Sequence, residues 1–161
     1  MGKLKFVLAI AVIIGFIYFT TPSVNRNESG QIVTEGSLEI FSLSVGDCFD
    51  DSTINAAETV ELSEVGGVPC SLPHDNEAYS AMVMRNGAYP GEESVLSTAE
   101  EYCSAQFEPF VGIAYESSIL DITYIYPTEE SWRLGNDREI VCSIYDMSGE
   151  KMTGSMKGKE I

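Results

Sequence analysis

Four cysteines constrain the fold of this 161-residue chain more than any other feature of its sequence. Their number is even, and the successive separations of 22, 33 and 39 residues contain no Cys-x-x-Cys motif. That spacing gives little support to a zinc ribbon or a thioredoxin-type redox motif. In an oxidising compartment, a small domain with four cysteines is expected to contain two disulfides. The cysteines are Cys48, Cys70, Cys103 and Cys142.

The first 21 residues indicate that the chain is exported. Lys3 and Lys5 precede an unbroken apolar run over residues 6–19, which is typical of a signal anchor or a cleaved signal peptide. No Ala-x-Ala cleavage site and no lipobox cysteine follow the run, which favours the uncleaved anchor. Because both lysines precede the run, the positive-inside rule predicts a single-pass cell-membrane protein anchored through residues 4–21. Its N-terminus is then cytoplasmic and its C-terminal domain extracytoplasmic.

Charge excludes several classes of partner. The chain carries 25 acidic and 9 basic residues, for a formal net charge of −16. Nucleic acids and anionic lipid headgroups are bound by basic patches, so neither is an expected partner of such an acidic protein. Hydrophobic residues make up 44% of the chain, which is typical of a folded domain rather than a disordered one.

Beyond the anchor, residues 1–21, the chain divides into a linker, a folded domain and a tail. Residues 22–43 are rich in Ser, Asn, Glu and Gly without apolar periodicity, which predicts a flexible linker. The folded domain is predicted over residues 44–157, and residues 158–161 form a short tail.

Local patterns predict an α+β domain, with a small antiparallel sheet and one packed helix. Apolar residues recur at helical spacing from Val95 to Phe107, behind two acidic residues that favour a first turn. Gly66 and Gly67 are expected to end the second strand. Strands are predicted over 44–49, 59–65, 78–85, 119–126 and 139–145, with an edge strand over 151–155 and one helical turn over 128–132.

Four cysteines can pair in three ways, and these placements favour one of the three. A Cys48–Cys70 bond would join the first two predicted strands, and a Cys103–Cys142 bond would fasten the helix to the strand at 139–145. Each bond contributes about 3 kcal/mol in the loop-entropy model.

The main candidate binding site is the cluster of His74, Asp75 and Glu77. His74 could act as a general base oriented by a carboxylate, or as a metal ligand together with Glu77. The alternative is that the cluster organises the turn after Cys70. One histidine cannot form a two-histidine metal site, and oxidised cysteines are not ligands, so we predict no metal, no cofactor and no catalytic residue.

Trp132 and Arg133 form a second candidate binding site. Trp132 is the only tryptophan of the chain, and Trp and Arg are enriched at the energetic centres of interfaces. The alternative is that Trp132 packs at the end of the sheet as part of the core.

Several of these residues belong to one ordered pattern. Residues 45–49 read Val-Gly-Asp-Cys-Phe, and residues 69–79 read Pro-Cys-Ser-x-Pro-His-Asp-x-Glu-x-Tyr. Tyr-Pro-Gly at 89–91, Pro-x-x-x-Ser-Trp at 127–132 and Asp-Arg-Glu-x-Val-Cys at 137–142 follow in order. The pattern resembles the bacterial septum-formation domain family over about residues 44–157. That family usually reads Gly-Asp-Arg after the tryptophan, whereas Asn136 makes the turn one residue longer here.

The resemblance implies a membrane-anchored extracytoplasmic domain with a part in forming the division septum. We therefore expect a non-enzymatic binding or scaffolding domain of the bacterial cell envelope, with envelope or division-site proteins as partners. The alternative is an envelope enzyme with hydrolase-like activity, or a metal-dependent module, centred on His74, Asp75 and Glu77.

Overall fold

A computed structural model describes residues 23–51 and 63–161. The predicted anchor, residues 1–21, and much of the predicted strand at 59–65 lie outside the described residues. Within the part that is described, no helix is both long enough and apolar enough to cross a membrane.

The domain has the predicted α+β architecture. Six strands form an antiparallel sheet in the order β3-β5-β4-β7-β9-β8, and two small ladders, β1-β2 and β6-β10, lie beside it. The strands are β1 (Asn25–Arg26), β2 (Ile32–Thr34), β3 (Gly36–Glu39), β4 (Cys48–Asp50), β5 (Glu64–Val68), β6 (Pro73–His74), β7 (Asn76–Val83), β8 (Leu120–Ile125), β9 (Glu139–Asp146) and β10 (Met152–Thr153). The helices are α1 (Glu92–Val111) and α2 (Glu129–Leu134).

Helix α1 covers one face of the sheet. Its buried residues recur every four positions, which places them in one stripe against β7, β8 and β9. They are Val95, Ala99, Cys103, Phe107 and Val111. The helix ends where Gly112 takes a left-handed conformation with φ of 92°, a common helix stop that glycine adopts without strain. The predicted helix is thus confirmed.

The other face of the sheet is covered by the segment that precedes it. Ile32 and Leu38 pack there with Phe49, Ala78 and Val141. Strand β9 therefore contributes to both cores, with Ile140, Cys142 and Ile144 on the α1 side and Val141 opposite. The residues of β9 from Ile140 to Ile144 are accordingly all buried.

The prediction of a flexible linker over residues 22–43 was wrong for its described part. We call residues 23–43 the N-terminal arm. It contains β1, β2 and β3, and β3 pairs with β5 in register from Gly36↔Gly67 to Glu39↔Glu64. The apolar residues of the arm are too widely spaced to give a periodic signal, yet four of them are buried: Ile32, Leu38, Ile40 and Leu43.

The prediction that Gly66 and Gly67 end a strand was also wrong, because both lie within β5. A Cβ atom on Gly67 would lie 2.5 Å from Cγ1 of Val24 and 3.2 Å from Cδ1 of Ile32. The absent side chain therefore makes room for the arm to pack against β5.

Both predicted disulfides are present, and no cysteine is free. The Cα atoms are 5.1 Å apart in Cys48–Cys70 and 5.5 Å apart in Cys103–Cys142. The first bond joins β4 to the loop after β5, and the second joins α1 to β9. The predicted edge strand near the C-terminus is confirmed as β10, which pairs with β6 rather than extending the main sheet.

Candidate functional site

His74 is buried in the short ladder between β6 and β10, where it lies opposite Met152. Its Nδ1 donates a hydrogen bond to the carbonyl oxygen of Leu72, at 2.8 Å. A carbonyl can only accept, so this bond places a proton on Nδ1 and leaves Nε2 as an acceptor in the neutral ring. Among the described residues, Nε2 has no hydrogen-bond partner, although it is buried.

Asp75 lies at the surface and shares a lysine with Asp50. The Nζ atom of Lys151 is 2.7 Å from Oδ1 of Asp50 and 3.1 Å from Oδ1 of Asp75. Partial burial lowers the pKa of Lys151, but the hydrogen bonds to Asp50 and Asp75 outweigh this effect and raise it. The backbone N–H of Asp75 also donates to Asp50. These contacts hold the loop before β7 against the segment that leads into β10.

Glu77 is buried on β7, and its Oε2 accepts a hydrogen bond from the backbone N–H of Met156 at 2.7 Å. Its carboxylate and the sulfurs of Cys48 and Cys70 all lie within 4.8 Å of one another. Both sulfurs are bonded in a disulfide, so this trio does not offer the thiolate ligands that a metal would need.

The three residues of the cluster are thus neighbours in sequence but not a single constellation. In the described structure, no hydrogen bond or ion pair joins His74, Asp75 and Glu77 to one another. Each instead fastens a different segment around the Cys48–Cys70 bond: the loop at Leu72, the segment at Lys151 and the C-terminal segment at Met156. This geometry supports the turn-organising interpretation, and a functional role for His74 stays a prediction.

Trp132 lies buried in α2, a helix that begins with a reciprocal capping box between Thr128 and Ser131. Its Nε1 donates to the carbonyl of Gly87 at 2.9 Å, and its ring meets the ring of Tyr89 edge-on with centroids 5.7 Å apart. A tryptophan held in this way is part of the core rather than an open recognition surface.

Arg138 and Arg133 occupy opposite environments around this tryptophan. The Cζ atom of Arg138 lies 3.7 Å from the centroid of the Trp132 ring, and its Nη1 donates to the carbonyl of Trp132. Arg133 is exposed on α2, at a shallow surface depression beside Glu129 and Glu130. Of the second candidate pair, only Arg133 is therefore placed to meet a partner.

The structure assigns a fastening role to a residue that the sequence patterns did not reveal. Arg26 of β1 forms a two-point ion pair with Asp47, with Nη1–Oδ1 of 2.6 Å and Nη2–Oδ2 of 2.7 Å. Asp47 is only 2% exposed and also accepts from the N–H of Ser44. The pair ties the arm to the loop before Cys48. An isolated arginine in an acidic chain was the only sequence signal.

A second missed cluster surrounds Asp121 on β8. Its carboxylate accepts from the hydroxyls of Tyr115 (2.5 Å) and Tyr145 (2.9 Å) and from the N–H of Ile122 (2.8 Å). Burial alone would raise the pKa of Asp121, but these hydrogen bonds outweigh it and lower the pKa. The hydrogen bond to Asp121, followed by burial, raises the pKa of Tyr115 to about 12. Burial, followed by the same partner, raises that of Tyr145 to about 12.

Comparison with known proteins agrees with the pattern of motifs. The family model described as "Septum formation" matches residues 45–160. The proteins named "Putative lipoprotein LppN" from Mycobacterium tuberculosis and Mycobacterium bovis are each 27% identical over 120 residues. These cover 73% of this chain and 63% of theirs, so the match spans less than two thirds of those relatives. No solved structure matches the chain. The family match extends over both disulfides, the His74 cluster, α1 and the Trp132 turn, and the chain therefore belongs to the septum formation family.

Proposed function

We propose that this protein is a non-enzymatic, membrane-anchored extracytoplasmic domain that binds or scaffolds proteins of the bacterial envelope during septum formation. The observation that carries this proposal is that the polar residues of the family pattern make contacts within the domain and hold its segments together. His74, Asp75 and Glu77 each hold a separate segment around the Cys48–Cys70 bond. Contact with partners then falls to the exposed surface of a rigid, cross-linked domain.

Three observations support a location outside the cytoplasm. All four cysteines are paired, which is typical of proteins that fold in an oxidising compartment. Two lysines precede the apolar run at residues 6–19, as in a signal anchor. The mycobacterial relatives are named as lipoproteins, a class of protein attached to a membrane.

The net charge of the protein limits which proteins can bind to it. The whole chain has a formal net charge of −16, so the protein repels acidic proteins and is attracted to basic ones, most strongly at low ionic strength. We propose that its partner among the envelope or division-site proteins presents a basic or neutral surface.

The test is a crosslinking pull-down from bacterial membranes with the full chain as bait. The control bait carries residues 1–22 fused to an unrelated acidic domain of similar size, which keeps the anchor and the charge. We expect division-site proteins to be enriched on the full chain alone, and enrichment to fall as salt is raised. Equal recovery on both baits would contradict the proposal.

One observation favours the alternative, an enzyme centred on His74: its Nε2 is buried without a partner among the described residues. Turnover of a small molecule by the full chain would support that alternative. The activity should then disappear in His74→Asn, a variant that keeps a donor for Leu72 but lacks an atom equivalent to Nε2.

A further inference from the structure

The two disulfides of this domain lie in different environments. Cys103 and Cys142 are fully buried between α1 and β9, in the larger core. Cys48 is also fully buried, but its partner Cys70 is partly exposed in the loop between β5 and β6. Exchange with an external thiol requires access to the disulfide, and of the two bonds only Cys48–Cys70 includes a residue that is not fully buried.

A buried carboxylate lies beside this accessible bond. Glu77 is 1% exposed, and its carboxylate is within 4.8 Å of both sulfurs. Among the described residues, that carboxylate has one hydrogen bond, from the N–H of Met156. Burying a carboxylate is costly when it has few partners, so its place next to two sulfurs, which donate no hydrogen bond in a disulfide, calls for an explanation. A carboxylate within 4.8 Å of a thiol can exchange a proton with it through one water, or directly after a small movement once the bond opens.

We propose that Cys48–Cys70 is a thiol–disulfide exchange site, in which Cys70 reacts with an external thiol and Glu77 transfers the proton of Cys48. The proposal is independent of the binding function proposed above, because it rests on the surroundings of one disulfide and not on any partner surface.

The exchange replaces one sulfur–sulfur bond by another. An external thiolate attacks Sγ of Cys70, a new sulfur–sulfur bond forms, and the Cys48–Cys70 bond breaks with its electron pair on Sγ of Cys48. Cys48 then takes up one proton, delivered from solvent through the Glu77 carboxyl group. In the reverse direction, Glu77 accepts that proton, Cys48 attacks Cys70, and the external thiolate leaves with the electron pair. Net, one thiol is exchanged for another and no other oxidant or reductant is required.

The geometry also explains why Cys70 is the sulfur attacked. Cys48 is held in β4, paired on both sides by β5 and β7. Cys70 lies in the loop between β5 and β6, where its carbonyl accepts a hydrogen bond from the N–H of Gly154. An incoming thiol therefore reaches Cys70 without opening the sheet.

The test uses the oxidised full-length protein in detergent, exposed in parallel to reduced glutathione and to a reduced dithiol protein of the thioredoxin type. Free thiols are alkylated at timed intervals and each cysteine is mapped by mass spectrometry. We expect Cys48–Cys70 to open at least about tenfold faster than Cys103–Cys142 under conditions where the fold is intact. If the thioredoxin-type protein is the more efficient at equal thiolate concentration, the reacting thiol is a protein dithiol; if glutathione is equally efficient, it is a small thiol.

The matched variants are Glu77→Gln and Glu139→Gln. The first keeps an acceptor for Met156 but cannot transfer a proton, and the second changes an exposed residue of β9. We expect Glu77→Gln to slow closure of the Cys48–Cys70 bond by about tenfold or more and to flatten its pH dependence, with Glu139→Gln unchanged. Should Glu77→Gln not fold, the comparison of the two disulfides in the unaltered protein decides. Opening of both bonds at one rate, and only on global unfolding, would overturn the proposal, as would unchanged closure in a folded Glu77→Gln.

Discussion

His74 is buried with one ring nitrogen bonded and the other without a described partner, and substitution can separate the two. Its Nδ1 donates to Leu72, and an asparagine amide can take the place of that nitrogen, whereas alanine cannot. If the residue is structural, His74→Ala should lower the free energy of unfolding by about 1–3 kcal/mol, because the buried ring of His74 and its hydrogen bond to Leu72 are both lost. His74→Asn should recover most of this loss. Urea denaturation of the oxidised full chain measures both.

The His74→Asn variant also separates a structural role of His74 from a role in partner binding. Loss of partner binding in a fully stable His74→Asn variant would contradict the structural interpretation, since only the Nε2 position is then missing.

Asp121 makes stability depend on pH at both extremes. Because the pKa of Asp121 is lowered in the folded protein, folding favours the charged carboxylate. The resulting stabilisation of the fold is fully present above pH 3.8, the ordinary aspartate pKa, and is lost as the pH falls through the lower pKa of the folded state. Tyr115 and Tyr145, raised from 10.0 to about 12, contribute stability below pH 10 that is lost as pH rises through 12.

Comparison with Asp121→Asn isolates this contribution from that of the other acidic residues. Urea midpoints measured from pH 2 to pH 6 should show a smaller acid-dependent loss in Asp121→Asn than in the unaltered chain. Identical pH profiles would mean that the three-residue cluster does not stabilise the fold.

At the scale of single residues, sequence patterns identified residues that a local motif or a distinctive chemistry marks, and missed remote pairs of ordinary charged and polar residues. The cysteine pairs and the Thr128–Ser131 turn follow from position and local chemistry. The partners Arg26 and Asp47 are 21 residues apart and Asp121 and Tyr145 are 24 apart, and no short pattern marks either pair. Asn136, the extra residue of the turn after α2, adopts φ of 52°, a left-handed conformation that asparagine tolerates.

At the scale of elements, α1 could be predicted because its stripe of apolar residues is contained in one segment. The full extent of strand β5 could not be predicted, because the reason for a glycine inside it lies in the arm, a segment distant in sequence. Gly67 appears as a strand breaker in sequence, yet it lies under Val24 and Ile32 of the arm. The wrong linker and the wrong strand end therefore have the same cause, the packing of the arm on β5.

That packing predicts different effects for two adjacent glycines. In Gly67→Ala the new Cβ would lie 2.5 Å from Val24, whereas in Gly66→Ala its nearest neighbours would be atoms of Asp50 at 3.6 Å, an ordinary contact. We expect Gly67→Ala to lower the free energy of unfolding by about 1–3 kcal/mol and to speed amide hydrogen exchange across residues 23–39. Gly66→Ala should stay within about 0.5 kcal/mol. Equal exchange of the arm in both variants would contradict its assigned place in the sheet.

Side chains bond to backbone N–H groups of β8, the strand at one edge of the sheet. The N–H of Leu120 donates to the hydroxyl of Ser118 at 3.1 Å, and the N–H of Ile122 donates to the carboxylate of Asp121 at 2.8 Å. Backbone donors that are already bonded to side chains are less available to an added strand. Partner binding by extension of the sheet at β8 is therefore disfavoured.

At the scale of the whole molecule, the arm connects the predicted anchor to the family domain as part of the fold. Strand β1 begins at Asn25, four residues beyond the predicted anchor, and four extended residues reach only about 14 Å. The Arg26–Asp47 ion pair and the β3–β5 pairing then continue directly into the sheet. If residues 4–21 cross the membrane, as we propose, the domain lies close to the membrane surface.

The central claim, that this domain lies outside the cytoplasm, is tested most directly by labelling Ser104→Cys in intact bacteria. Ser104 is exposed on α1, and the four native cysteines are held in disulfides, so the introduced thiol is the only free thiol of the oxidised protein. A membrane-impermeant maleimide should label it fully before lysis, while a cytoplasmic protein with one exposed cysteine is labelled only afterwards. Labelling of Ser104→Cys only after lysis would contradict the claim.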